Sequence, residues 1–98
     1  MTEEVEQIIR VLRQELPRFE HVYHVKSLGL FGSLAHGKHT QESDADILVE
    51  FVTAPGLFEF LDLEEDLQRL LRRPVDLVEK KSLKPAIAEV VNRELIPV

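Results

Sequence analysis

The sequence contains no cysteine, which excludes disulfide staples, thiol nucleophiles and cysteine-ligated zinc and leaves apolar packing alone to hold a core. It also lacks any apolar run near the roughly 18 residues that a membrane span requires. Met1-Thr2-Glu3-Glu4 places acids where a secretory leader would carry basic residues, so a cytoplasmic location and no membrane partner are expected. A surplus of positive charge is missing too. Twelve Lys and Arg face eighteen Asp and Glu, a formal charge of −6 that gains little from phosphate attraction, so direct nucleic-acid binding is not expected. With 98 residues, 44% of them hydrophobic and 31% charged, the composition is that of one folded domain spanning 1–98.

The charge that is present is uneven. Arg69, Arg72, Arg73, Lys80, Lys81 and Lys84 hold half of the basic residues, a stretch that is either a solvated face or a surface for an anion.

Val5, Ile8, Ile9, Leu12 and Leu16 recur at helical spacing behind Thr2 as N-cap, and Pro17 is expected to end that helix. Residues 25–31 form a short apolar stretch stopping at Gly32, and 46–52 a nearly continuous apolar run; both read as strands central to a sheet. Thr53-Ala54-Pro55-Gly56 is a turn, and Leu57, Phe60, Leu61, Leu67, Leu70 and Leu71 mark one face of a second long helix. Pro74 opens a third short strand over 75–78, Pro85 a third helix to about residue 93, and 95–98 is an extended tail. The fold class is therefore α/β, a small mixed sheet with packed helices; strand order is not legible.

Three of the four glycines, Gly29, Gly32 and Gly37, cluster where the first strand turns into a short helix at Gly32-Ser33. Glycine permits close approach, the first helical turn exposes N–H groups, and the Ser33 hydroxyl adds a donor, which together suit a phosphate. Taken alone, a Gly-Ser pair is more often a turn.

Ten residues on, Ser43-Asp44-Ala45-Asp46 sets two carboxylates on one face of a strand start. A capped strand start or an Asx-turn would explain one aspartate; two like charges side by side repel unless a cation neutralises them, and magnesium suits carboxylate and phosphate oxygens. Asp76, inside Val75-Asp76-Leu77-Val78, is either solvent-facing or, on a strand beside Asp46, a third ligand completing a site for two ions. Such a site performs nucleotidyl transfer.

Gly32-Ser33, ten intervening residues, then Asp44-Ala45-Asp46, with Leu28-Gly29-Leu30-Phe31 before and Ile47-Leu48-Val49-Glu50-Phe51 after, resemble the signature of the DNA polymerase β-like nucleotidyltransferase superfamily. Pro74-Val75-Asp76-Leu77-Val78 followed by Ser82-Leu83-Lys84-Pro85 is similar to its minimal nucleotidyltransferase branch, whose members commonly pair as antitoxins with HEPN-domain toxins. The resemblance spans nearly the whole chain. It implies that Gly32 and Ser33 hold the triphosphate of ATP, that Asp44 and Asp46 bind two Mg²⁺ ions, and that Asp76 binds one of them and helps activate an acceptor hydroxyl. It also implies a HEPN-type toxin as partner and its tyrosine as acceptor for AMP; assembly with itself or with that partner is left open. His36 stands where the family often has arginine, which weakens phosphate neutralisation unless Lys38 substitutes as a nucleotide-binding residue.

Two other readings compete: a non-catalytic antitoxin that occludes its partner, and a small-molecule nucleotidyltransferase, disfavoured because little chain remains for an acceptor-binding domain. The pairs His21-x-x-His24 and His36-x-x-His39 are too weak a pattern for structural zinc without cysteine. Tyr23 is read as a strand-start residue rather than a nucleophile, and Phe58 and Phe60 as core rather than as an adenine platform.

Overall fold

A computed structural model describes residues 2–37 and 43–98. Among the described residues four α-helices and four strands follow one another: α1 (Glu3–Tyr23), β1 (Val25–Phe31), α2 (Gly32–Ala35), β2 (Ala45–Phe51), α3 (Leu57–Leu71), β3 (Val75–Glu79), α4 (Pro85–Glu94) and β4 (Ile96–Pro97), with a 3-10 turn (Lys80–Ser82) between β3 and α4. The strands form one sheet in the order β3-β2-β1-β4, so both expected central strands are central. β1 runs antiparallel to β2 and β4, and β2 runs parallel to β3, which makes the sheet mixed as its composition of hairpin and crossover requires.

The helix α1 starts where its cap predicts: the Thr2 hydroxyl oxygen accepts from the Val5 N–H at 3.2 Å, and Glu3, Glu4 and Glu6 occupy the positive end of the dipole. Its end is not Pro17. The helix passes through that proline and stops at His24, whose left-handed backbone (φ 59°) donates its N–H to the Phe19 carbonyl. Proline in a helix interior costs about 3 kcal/mol through a lost hydrogen bond and a ring clash. Tertiary anchors beyond it offset that cost: Phe19 is fully buried, and Arg18 and Tyr23 both bond Asp66 of α3. Leu16, Phe19 and Tyr23 continue the helical spacing, a signal that the proline masked.

Side chains at alternate positions of β2, namely Ala45, Ile47, Val49 and Phe51, pack with Leu28 and Leu30 of β1 against α1 and α3. This is the main core. Leu48, on the opposite face of β2, and Val91 of α4 are also buried but stand outside that cluster, so the second face has only partial apolar cover. Leu95 closes over Gly29 there: a Cβ at Gly29 would lie 2.5 Å from the leucine side chain, which explains glycine in mid-strand.

β3 is an edge strand, and α3 blocks its free side. The Val75 N–H donates to the Gln68 side-chain oxygen and the Leu77 N–H to a Glu64 carboxylate oxygen, both at 3.2 Å. Two helix side chains thus satisfy the donors that would otherwise template another strand.

Candidate active site

The parallel register between β2 and β3 sets Asp46 directly beside Asp76, on the sheet face opposite α1 and α3. Asp44 precedes β2 by one residue and shares that alternation. Asp44 and Asp76 are exposed and Asp46 is half-buried. Burial pushes the Asp46 carboxyl above its ordinary range, and the charges of Asp76 and then Asp44 push it further. Among the described residues none of the three forms an ion pair, and no three His, Cys, Asp or Glu side chains stand at the mutual distances of a metal cage.

Gly32 joins this cluster to the turn that follows β1. Phe31 pairs with Asp46 across the β1–β2 ladder, and Gly32, at φ +77°, lies so close that a Cβ would sit 2.1 Å from Asp46 Oδ2. No other residue meets both demands, the left-handed backbone and the missing side chain. Helix α2 then begins with no side-chain cap bond, beside the exposed Ser33. Leu34, fully buried, anchors the turn to the core. The glycine-serine turn and the Asp46 carboxylate are therefore contiguous.

Other residues fall differently. Lys38 and His39 lie outside the described residues. His36 ends α2 with Nε2 3.1 Å from a Glu94 carboxylate oxygen, so α4 already supplies this imidazole with a partner. His24 serves through its backbone as the cap of α1. Tyr23 is the last residue of α1 rather than a strand start; burial, and then its bond to Asp66, push its phenol up to about 12, which removes it as a nucleophile near neutrality. Phe60 packs against the core, its ring 6.4 Å from that of Phe51, whereas Phe58 is 80% exposed and corrects the core reading. Both follow the C-terminal end of β2, opposite the end that carries Asp46, so neither lies at the carboxylates.

The basic stretch does not form one surface. Arg73 turns inward to Glu4, Lys80 reaches Glu50 at 3.8 Å and Arg69 reaches Glu65 at 3.9 Å.

A mixed four-stranded sheet that presents a glycine-serine turn and three aspartates on one face defines a nucleotidyltransferase. The model of the nucleotidyltransferase domain family matches residues 5–97, and the chain belongs to that family. It is 44% identical over 94 residues to the protein adenylyltransferase MntA of Thermococcus cleftensis, covering 96% of this chain and 92% of that one. Among solved structures, one assigned as a minimal nucleotidyltransferase superposes with a TM-score of 0.79 at 32% identity over 94% of each chain. A toxin–antitoxin crystallised with AMP-PNP superposes at 0.69 and 26% identity, covering 98% of this chain and 72% of that one. The minimal nucleotidyltransferase branch, with its antitoxin relatives, is thus where this chain falls.

Proposed function

We propose that residues 1–98 act as one minimal nucleotidyltransferase domain, in the cytoplasm, that transfers AMP from ATP to a tyrosine hydroxyl of a HEPN-type toxin and thereby silences it. The observation that carries this reading is the register of Asp46 with Asp76 and the contact of Gly32 with Asp46, which join a triphosphate-binding turn to the carboxylates within one site. The name of the Thermococcus cleftensis relative supports protein as the acceptor, and the AMP-PNP carried by the toxin–antitoxin structure supports an adenine nucleotide.

The donor chemistry suits magnesium, although the three side chains do not themselves stand at the mutual distances of a cage. The donors are all hard carboxylate oxygens, like-charged, with no cationic side chain among the described residues paired to them and one carboxyl already pushed up by burial and then by the other two. Asp44 and Asp46 would hold two ions and Asp76 one of these. Bound there, Mg²⁺ supplies charge neutralisation for the triphosphate and acidifies a nearby hydroxyl.

The chain's own groups do the rest. The open N–H groups of α2 and the Ser33 hydroxyl grip triphosphate oxygens, and Lys38 adds positive charge. The acceptor oxygen attacks the α-phosphorus, forming a phosphodiester bond as the bond to the α,β-bridging oxygen breaks and pyrophosphate leaves with that electron pair. Asp76, exposed to an incoming acceptor, takes the hydroxyl proton. The partner brings its own acceptor and completes the site.

The test mixes the chain, Mg²⁺, α-labelled ATP and a candidate HEPN-type toxin, and follows label and toxin activity with wild type and Asp76→Asn. Transfer by wild type and its loss in a variant that still binds the toxin supports the reading. Neutralisation that persists in Asp76→Asn, with no label transferred even by wild type, would replace it with occlusion.

A further inference from the structure

Asp44 is exposed like Asp76, but unlike Asp46 and Asp76 it precedes its strand, so the sheet ladder does not hold it. What holds it comes from the α3–β3 connection. The Ala45 N–H donates to the Pro74 carbonyl at 2.9 Å, and Arg73 Nη1 donates to the Ser43 carbonyl at 3.3 Å. Two consecutive residues therefore grip the backbone on either side of Asp44. Arg73 Nη2 pairs with the Glu4 carboxylate in the first turn of α1, which ties the same guanidinium to a second element.

This arginine is not a surface charge. Its side chain is only 10% exposed, and Nε is buried and finds no acceptor among the described residues. A planar fork with several donors spans two acceptors on different elements, which a flexible ammonium does not reproduce. The connection is set from behind: Arg72 adopts φ 56° and donates to the Gln68 carbonyl, while Gln68 also accepts from Val75, so Arg73 leaves a firmly held turn.

We propose that Arg73 is a positioning residue of the transfer reaction: by clamping Ser43 against Glu4 it places Asp44 in line with Asp46 and Asp76 for a divalent cation. The inference rests on the nucleotidyl-transfer reading of this site. Supporting groups behind metal ligands typically change metal affinity or activity by about 10- to 100-fold when removed.

The experiment measures free Mn²⁺ by electron paramagnetic resonance in titrations of wild type, Arg73→Met and Arg73→Lys, alongside thermal melts and transfer from labelled ATP. In folded Arg73→Met the Mn²⁺ affinity and kcat should both fall about tenfold, with KM for ATP changing less. Arg73→Lys, which keeps the charge beside Glu4 but not the fork, should lose about threefold or more, and it decides the matter if Arg73→Met does not fold. A variant that melts lower yet binds Mn²⁺ and transfers like wild type per folded molecule overturns the positioning role. Wild type that neither binds Mn²⁺ nor transfers overturns the underlying reading, and this inference with it, a result distinct from equality among the three proteins.

Discussion

Two half-buried carboxylates on opposite faces of the sheet have opposite fates. Asp66, between α1 and α3, accepts two bonds from Arg18 at 2.7 and 2.9 Å and one from the Tyr23 hydroxyl at 2.8 Å, and its carboxyl is held below the ordinary range, chiefly by Arg18. Asp46, on the other face, is pushed above that range by burial and by Asp76 and Asp44. The first is neutralised by the protein and serves the fold. The second has no such partner among the described residues, which is what the proposed metal site requires, and unbalanced charge of this kind clusters where chemistry is done.

The largest expected effect breaks the second member. Asp46→Asn should reduce transfer by about 10³-fold while raising the melting temperature measured in chelator, because one of three mutually repelling charges is gone. The sign follows from linkage. A carboxyl whose pKa is raised by folding favours the native state only when protonated, so its contribution fades as pH rises from 3.8 through the raised value, and at neutrality it works against folding. Asp46→Asn that melts below wild type in chelator would contradict this.

Next is the wall between turn and carboxylate. Gly32→Ala must place a methyl against Asp46 Oδ2 at a backbone of φ +77°, and should cost about 1–2 kcal/mol for the left-handed residue and about 10²-fold in transfer for the displaced carboxylate. Adding Asp46→Ala should recover the clash but not the backbone strain. Denaturant melts of the single and double variants measure both parts.

Ser33→Ala comes third, with a loss of about tenfold in rate and little change in stability, since the hydroxyl is exposed at an uncapped helix start. A fold lost with rate per folded molecule retained would return Ser33 to a structural role.

The other face should respond in stability alone. Asp66→Ala should cost about 1–2 kcal/mol and leave transfer per folded molecule unchanged. Its pH signature is opposite to that of Asp46: a carboxyl depressed by folding stabilises above 3.8, and that contribution is lost as pH falls through the depressed value, so the gap to wild type should narrow only in acid. Melts across that range check it.

What was legible before the structure follows the same division. Period-two alternation put Asp44 and Asp46 on one face, and apolar runs located β1 and β2 to within a residue, because both signals are local. The meeting of Asp46 with Asp76 was conditional on strand order, which the ladder supplies and no local pattern encodes. Pro17 misled because its local penalty is visible and the Arg18–Asp66 anchor, 48 residues apart, is not. Arg73 was counted within a basic stretch although its guanidinium is inward, since burial of a charge depends on acceptors that only folding brings near. The edge of β3 was hidden for the same reason: Gln68 and Glu64 look like solvated helix residues until they accept Val75 and Leu77.

The comparison is tested most directly by thermal melts of wild type, Asp46→Asn and Asp66→Ala with and without Mg²⁺. A ligand at a hundredfold excess over its Kd stabilises by about 2.7 kcal/mol, which is several degrees or more for a domain of this size. Wild type and Asp66→Ala should both gain that increment and Asp46→Asn should gain none. An equal Mg²⁺ shift in all three proteins, or none in wild type, would contradict the proposal that Asp44, Asp46 and Asp76 hold a cation.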